Sequence, residues 1–371
     1  MKIICQQSEL LAGVNTVLKA VPSKTTMPIL ECILIDTTED SIKLTANDME
    51  LGIETIISGQ VIEKGIVALD AKLFSEIIRK LPENEVTLET NENYQATITC
   101  EKAKFKIAGK SGDDFAALPD IQKKNPIVLS QFSLKEVIRQ TIFSIDDRSS
   151  NKIMGGEYFE IEGNHFKVTT LDGHRISIRI VELKESYETI RAIVPGKTLN
   201  EVAKILPGGI EDSVNLYFTG SHIVFEFEQT EVVSRLIDGA YFDVKRMISR
   251  DYETKITLRK KDIQDCFERV LLLVHEGDRQ PVIMRIHENF MELSMDTRMG
   301  SMKEEIDLSL EGKSELLIGF NPKYILDALR VIDDEEIDIY LTNSKAPAYI
   351  QNEDRSYVYV ILPMNIRGGQ A

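Results

Sequence analysis

Three short triplets, in which Gly and Lys precede Ser or Thr, are the first candidates for chemistry in this sequence. They begin at Gly109, Gly196 and Gly312. A phosphate-binding loop needs another glycine five residues before the triplet, because its backbone amides wrap the phosphates. Those positions hold Lys104, Arg191 and Asp307. The triplets therefore argue against a nucleotide-hydrolysing site.

Metal ligands and cofactor sites also have little support. No histidine pairs with another His or Cys at ligand spacing; the five are His165, His174, His222, His275 and His287. The acidic run at 333–336 favours a solvated loop, with a cation site as the alternative. Four scattered cysteines without a C-x-x-C pair indicate a reducing cytoplasm and neither zinc nor a disulfide framework. We expect no metal and no cofactor.

A basic motif that occurs three times is the strongest pattern. In each copy an acid follows a Lys by four residues and a second cation follows it by seven: Lys72/Glu76/Arg79, Lys197/Glu201/Lys204 and Lys323/Asp327/Arg330. Seven residues make two helical turns, so both cations share one face. Loops after the opening helices add Lys24, Arg148 and Arg279. Without interleaved aromatic residues these cations predict attraction to phosphates without base recognition. Exposed salt bridges on three related helices are the alternative.

A turn after a strand-like stretch repeats as well. Asp48, Asp172 and Asp296 are each 124 residues apart, and only the middle copy continues as Gly173-His174-Arg175. Catalysis by His174 would need a nucleophile and an orienting group, and the sequence offers no clear partner. A specialised contact loop and a solvated turn both remain possible.

Composition describes a folded protein of several domains. The chain has 371 residues, 43% apolar and 28% charged, and a net charge of −16. That length suits three ordinary domains. The acidic total alone argues against nucleic-acid binding, but a basic inner face can coexist with an acidic exterior. The N-terminus lacks a secretory signal, and no apolar run has membrane-spanning length. We therefore expect a cytoplasmic protein with no membrane partner.

The repeats predict domains at 1–125, 126–251 and 252–371, each α+β with two helices packed on antiparallel strands. An amphipathic helix opens each copy, and its apolar stripe begins at Leu10, Leu134 and Ile263. Ser133 with Glu136 predicts a capping box, while Asp70 and Asn321 predict N-caps of the basic helices. Strands are expected at 96–100 paired with 104–107, at 222–227 and at 357–361.

The order and spacing of several short motifs resemble the bacterial DNA polymerase III beta subunit family, the sliding clamps, over the whole chain. The motifs are TMPIL at 26–30, NDME at 47–50, DGHRI at 172–176, LIDG at 236–239, IGFN at 318–321 and LPM at 362–364. The resemblance implies a DNA-clamp fold and a non-catalytic processivity factor. It implies a head-to-tail homodimeric ring around double-stranded DNA, with the helices lining the channel. The implied partners are the replicative polymerase catalytic subunit, the clamp loader and other proteins that carry short clamp-binding peptides.

The resemblance also assigns candidate sites residue by residue. The implied peptide cleft comprises Met154, Leu171, Gly173, His174, Arg175, Ile176, Phe242, Arg246, Met247, Val360, Ile361, Leu362, Pro363 and Met364. The implied dimer interface joins Lys104, Phe105 and Ile107 to Leu272 and Leu273. Phe242 replaces the family's common Pro and Leu171 its common Thr, so a changed peptide preference is expected. The tail at 365–371 runs beyond the family's usual ending and is expected to cover part of the cleft.

Two other functions are compatible with the residues taken without the resemblance. One is a cytoplasmic scaffold that binds peptides through the Gly-His-Arg loop and does not enclose DNA. The other is a hydrolase that uses His174. Retention on circular DNA separates the first alternative from a ring, and loss of turnover on substitution of His174 would identify the second.

Overall fold

The computed structural model of the chain describes residues 1–248, 251–275 and 280–366. Within these ranges there are six α-helices and 24 strands, and the strand pairings are antiparallel. The elements to residue 125 are β1 (Lys2–Gln6), α1 (Gln7–Val17), β2 (Cys32–Asp36), β3 (Ile42–Asn47), β4 (Leu51–Ile57), β5 (Gln60–Glu63), β6 (Ile66–Asp70), α2 (Ala71–Lys80), β7 (Glu85–Thr90), β8 (Gln95–Cys100) and β9 (Ala103–Ser111). Next come β10 (Ile127–Ser130), α3 (Gln131–Thr141), β11 (Gly156–Leu171), β12 (Arg175–Pro195), α4 (Gly196–Ile205), β13 (Ser213–Phe218), β14 (His222–Phe227) and β15 (Thr230–Arg235). The last are β16 (Thr254–Arg259), α5 (Lys260–Leu271), β17 (Val282–Ile286), β18 (Phe290–Thr297), β19 (Gly300–Asp307), β20 (Ser309–Gly312), β21 (Leu316–Phe320), α6 (Pro322–Leu329), β22 (Glu336–Leu341), β23 (Ala348–Gln351) and β24 (Tyr357–Ile361).

Contacts divide the chain into two compact units. The first contains Met1–Phe132 and Lys197–Leu236, and the second contains Ser133–Gly196 with the described residues from Ile237 onward. A sheet of 13 strands lies in the first unit, in the order β10-β13-β14-β15-β4-β3-β2-β6-β9-β8-β7-β1-β5. The second unit holds a sheet of seven strands, β11-β12-β24-β23-β22-β16-β20, and one of four, β19-β18-β17-β21.

The amphipathic helices form as the sequence predicts. The first two apolar positions of each stripe are at most 1% exposed: Leu10 and Val14, Leu134 and Ile138, Ile263 and Phe267. Asp70 caps α2 by accepting from the Leu73 N–H at 2.8 Å, and Asn321 caps α6 through the Lys323 N–H at 3.0 Å. The predicted capping box at Ser133 is wrong, because α3 begins two residues earlier at Gln131. The strands expected at 96–100, 104–107, 222–227 and 357–361 are all confirmed.

Strand pairing between successive repeats follows one rule. In the first unit β4 pairs with β15, a junction called here the first seam. In the second unit β12 pairs with β24, the second seam. Each unit therefore joins a strand that follows a two-residue turn to the last strand of the next repeat. Within the described chain β19 pairs only with β18, and the stretch 103–108 of β9 pairs only with β8.

The repeated turn corrects one equivalence read from the sequence. Asp48 and Asp172 each accept a hydrogen bond from the N–H two residues on, that of Glu50 and that of His174, at 3.0 Å. In the third copy Thr297 does this, through its hydroxyl, for the Met299 N–H at 3.1 Å. The spacing is therefore 124 and then 125 residues, and Asp296 is not the counterpart of Asp48.

A carboxylic acid lies in the core of the second unit. Glu157 is 0% exposed, receives the Thr141 hydroxyl at 3.0 Å on Oε1, and has no partner for Oε2 among the described residues. Glu157 pairs with Val194, three residues before Lys197, and the matching positions of the other repeats hold Ile33 and Val282. Burial raises the pKa of Glu157 well above its usual value.

We predict that this acid makes the stability of the protein fall with rising pH. A carboxyl whose pKa is higher in the folded than in the unfolded state favours folding at pH below about 4.3, and that contribution is lost as the pH rises towards the folded value. The loss is at most about 1.4 kcal/mol per pH unit. Glu157→Gln should therefore flatten the melting temperature between pH 5 and 9 and raise it at pH 8. The matched control is Glu162→Gln on the exposed part of β11. Equal pH profiles for Glu157→Gln and the unmodified chain would contradict the buried-acid account.

Candidate functional site

An apolar cluster on one face of the second seam contains most of the predicted peptide cleft. Leu171, Ile176 and Val360 are buried in it, and Met154 and Phe242 pack against it half-buried. Successive strand residues alternate between the two faces of a sheet, so Leu171, Ile176 and Val360 share this face. We call this set, with its further members Ile178, Val244, Tyr349 and Val358, the cleft cluster.

The chain beyond β24 runs along the edge of this cluster. The Leu362 N–H donates to the His174 carbonyl oxygen at 2.8 Å, and the Met364 N–H donates to Gly319 at 2.8 Å. Leu362 and Met247 remain 42% and 50% exposed. The predicted residues His174, Leu362, Pro363 and Met364 are therefore brought together by backbone hydrogen bonds. The tail from 367 onward, and the side chain of Arg246, lie outside the described residues.

Arg175 and Ile361 do not face the cleft cluster. Ile361 is 1% exposed and belongs to the core formed around α5 and α6. Arg175 is 8% exposed and points to the helices. Its guanidinium binds Asp172 at 2.9 Å, Asp327 of α6 at 2.7 Å, and the Phe143 carbonyl oxygen.

Two aromatic rings complete the surroundings of Arg175. Its guanidinium carbon lies 4.5 Å from the centroid of Tyr324 and 5.2 Å from that of Phe143. A buried cation is tolerated where carboxylates and ring faces replace water. The geometry gives Arg175 a structural role in the second seam. Asp327, expected as the acid between two helical cations, is engaged here instead.

Sequence reasoning missed an aromatic wall beside the cleft cluster. Tyr158 and Tyr241 stack with centroids 4.6 Å apart, and Phe242 meets Tyr241 edge-on at 5.8 Å. Phe242, one of the residues flagged as a departure from the family, thus packs edge-on against this stack. Alternation along β11 could have revealed Tyr158, but the position of the 236–248 segment could not be obtained from periodicity.

The predicted DNA-facing cations are exposed wherever they are described. In the first unit these are Lys24, Lys72, Arg79, Lys197 and Lys204, and in the second Arg148, Lys323 and Arg330. Arg279 lies outside the described residues. Three of them bind acids: Lys197 pairs with Asp48, Lys204 with Glu201 at 2.8 Å, and Arg330 with Glu268 at 3.5 Å. The other five make no ion pair with a described residue. The three helical motifs therefore supply solvent-facing cations, and the pairs at four-residue spacing do not form the row of salt bridges considered as their alternative.

The predicted dimer residues lie on open edges or exposed turns. Phe105 is 39% exposed and Ile107 8% exposed, on the stretch of β9 whose partner among the described strands is β8 alone. Lys104 lies on the opposite face of that strand and is exposed. Leu272, after α5, is 82% exposed, and Leu273 is half-buried. An exposed leucine and an unpaired strand edge both favour association with another surface.

Within the described residues, no three His, Cys, Asp or Glu side chains are grouped so that they could hold a metal ion. No described helix is long and apolar enough to cross a membrane.

Three family models divide the chain and define its class. Residues 1–119, 128–243 and 245–365 match the N-terminal, central and C-terminal domains of the DNA polymerase III beta subunit. The fold is thus a three-domain clamp fold, and the class is a non-catalytic DNA-binding clamp.

Relatives along the whole chain agree with the family models. The beta sliding clamp of Staphylococcus epidermidis is 32% identical over 98% of this chain and 99% of its own length. The crystal structure of a putative DNA polymerase III beta subunit from Eubacterium rectale is 56% identical, with a TM-score of 0.96 over 99% of this chain and all of that one. The Bacillus subtilis sliding clamp is 32% identical, with a TM-score of 0.95 over 99% of both chains. The chain belongs to the DNA polymerase III beta subunit family. It is a sliding clamp, which tethers the polymerase to DNA and works as a homodimer with clamp-binding partners.

We predict that Arg175 stabilises the second seam and does not contact a bound peptide. Arg175→Met leaves Asp172 and Asp327 without their cation, and breaking a buried pair costs about 3–5 kcal/mol. Urea unfolding should show this loss. Arg191→Met is the control, since Arg191 is 56% exposed and 3.8 Å from Glu160, so its loss should cost less than about 1 kcal/mol. Unchanged stability of Arg175→Met together with weaker peptide binding would show that Arg175 is a peptide contact.

Proposed function

We propose that two copies of this chain close head to tail into a ring of six domains around duplex DNA. The domain boundaries in this proposal are 125/126 and 251/252. The observation that carries it is the repeated seam. At the first seam Ile53 of β4 lies opposite Val232 of β15. At the second, Ser177 of β12 lies opposite Tyr359 of β24. Each of these four is the third residue of its strand.

The same count from the first residue of each strand gives a register for a third seam, between two copies. Met302 of β19 comes opposite Phe105 in β9 of the other copy, and Gly300 comes opposite Ile107. A Cβ placed at Gly300 would lie 3.8 Å from the side chain of Leu273. The pairing thus brings Leu273 beside Ile107. Met302, Phe105, Ile107 and Leu273 then form an apolar row along the helix side of the third seam.

Charge contributes little to this register. Lys104 comes opposite Lys303, and directly opposed like charges are unfavourable. The Lys303 ammonium is already bound to Glu292 at 2.7 Å. The apolar row and the backbone hydrogen bonds of the added strand pair therefore carry the interface. Two edges that close on each other give a finite ring and not a filament.

The eight described cations are proposed to face the DNA, together with Arg279. Five of the eight have no described acidic partner, and the helical pairs stand at one register in three helices. Phosphate attraction of this kind is similar at every base pair, so it allows sliding. Enclosure by the ring then supplies the retention that such contacts lack.

The cleft cluster is proposed to receive the clamp-binding peptides of the polymerase subunit, the clamp loader and other partners. Support comes from its apolar lining, from exposed Met247 and Leu362 at its edge, and from the aromatic wall that ends in Phe242. Methionine and aromatic side chains suit grooves that accept short peptides. A protein that works on replicating DNA is proposed to reside in the cytoplasm.

We predict that Leu272→Ala combined with Leu273→Ala yields monomers at micromolar concentration. The double substitution removes Leu273, the apolar neighbour of Ile107 across the third seam, together with the exposed Leu272 next to it. Sedimentation velocity measures the result. Lys104→Ala is the matched control and should remain a dimer, because its side chain faces Lys303. A dimer that survives the double substitution would contradict this seam.

The ring itself is tested by retention on nicked circular DNA after loading by a clamp loader. We expect the protein to stay on the circle at moderate salt and to leave once the circle is cut, because a sliding ring runs off free ends. Equal retention on circular and linear DNA would mean direct affinity and would contradict enclosure. The double leucine variant should fail to stay on either form.

A further inference from the structure

The first seam has a groove with the same architecture as the cleft cluster, and the chain itself fills it. Tyr217, Val224 and Val233 form a small apolar cluster on the sheet, and Leu118 and Ile121 pack against it. Leu118 and Ile121 lie outside the strands, in the segment that connects β9 to β10. We call residues 115–123 the linker segment.

Strand pairing makes the two grooves equivalent position by position. Val233 lies opposite Gly52 at the first seam, as Val360 lies opposite Ile176 at the second. The neighbouring strands continue the match, so Tyr217, Val224 and Val233 correspond to Tyr340, Tyr349 and Val360. All three counterparts belong to the cleft cluster or pack against it. The two surfaces are therefore repeats of one groove.

Small and polar residues at the first seam fit the linker segment closely. A Cβ added at Gly52 would overlap the side chain of Leu118, so the missing side chain leaves the space that Leu118 fills. Asn47, 5% exposed, donates from Nδ2 to the Ala116 carbonyl oxygen at 3.3 Å. The counterpart of Asn47 at the second seam is Leu171, which has no such donor. The groove at the first seam thus binds both the backbone and an apolar side chain of the segment.

At the other end of the linker segment, a lysine forms ion pairs with two glutamates of the sheet. The Lys123 ammonium binds Glu226 at 2.7 Å and Glu231 at 2.5 Å. Burial tends to raise the pKa of Glu226, but hydrogen bonds from Lys123 and the Tyr217 hydroxyl outweigh it and hold that pKa below its usual value. The contacts define a short recognition pattern: Leu118 and Ile121 are three residues apart, and Lys123 follows Ile121 by two.

We infer that the first seam is a second peptide-binding groove, and that its ligand is the linker segment of the same chain. The tethered segment is present at an effective concentration on the order of millimolar. It therefore keeps the first groove closed and leaves the second as the groove open to partners. The inference rests on the proposed role of the cleft cluster for its comparison, but its test does not.

The test supplies the linker segment in trans. A fluorescein-labelled peptide with the sequence of residues 114–124 is titrated into two full-length chains. One is the unmodified chain, and the other carries Leu118→Ala, Ile121→Ala and Lys123→Ala. The control peptide carries the same three alanines. Melting temperature and dimer mass establish that the variant folds, and Lys123→Ala alone is the second variant, since it changes only one partly exposed side chain.

We expect the peptide to bind the triple variant at least about tenfold more tightly than the unmodified chain, a difference of about 1.4 kcal/mol. Lys123→Ala should give an intermediate affinity, and the control peptide should bind neither chain. Equal binding to the unmodified chain and the variants would place the peptide elsewhere and overturn the inference, as would no binding to a folded variant. A clamp-binding peptide titrated into the unmodified chain in parallel tests the cleft separately.

Discussion

An antiparallel strand with an unpaired edge is the constraint on which this architecture depends. Each repeat contributes two such edges. One belongs to the strand that follows a two-residue turn, and the other to the last strand of the repeat. Exposed backbone donors and acceptors on such edges promote uncontrolled association unless they are paired or covered. The chain pairs them twice internally, at the first and second seams. The third pair, β19 and the stretch 103–108 of β9, has no strand partner at these edges among the described residues. The proposed closure by a second copy would follow the same rule that builds the first two seams.

Function by enclosure explains a charge pattern that otherwise conflicts with DNA binding. A net charge of −16 makes the chain as a whole repel nucleic acid. Several of the helical cations are themselves paired with acids, as Lys197 is with Asp48. A protein that bound DNA by attraction alone would gain from freeing them. A ring gains from weak contact, because strong phosphate contacts slow sliding, and its retention comes from topology.

The sequence predicted helices, caps and the basic register well, because each depends on local spacing. Leu10, Leu134 and Ile263 reveal their stripes within a few turns of helix. The third repeat shows the limit: its turn uses Thr297, so a search for identical Asp residues aligned Asp296 one position too early. That error also inverts which side chains of β19 face the helices, since faces alternate along a strand.

The buried positions of Arg175 and Ile361 were missed for a related reason. A motif assigns residues to a site by their place in sequence, whereas Arg175 and Ile176 point to opposite faces of one strand.

Backbone repetition and side-chain divergence together decide what each seam can do. On the sheet face that points away from the helices, the equivalent pairs are Gly52 with Val233 at the first seam and Ile176 with Val360 at the second. The proposed third seam would place Ser301 opposite Lys106. A glycine leaves room for a covering segment, and two branched apolar residues build the floor of a groove. Polar serine and lysine side chains can remain exposed to solvent, so this face needs no covering segment. The same strand pairing thus gives a closed groove at the first seam and an open groove at the second. It would give a solvated face at the proposed third seam, because only the side chains differ.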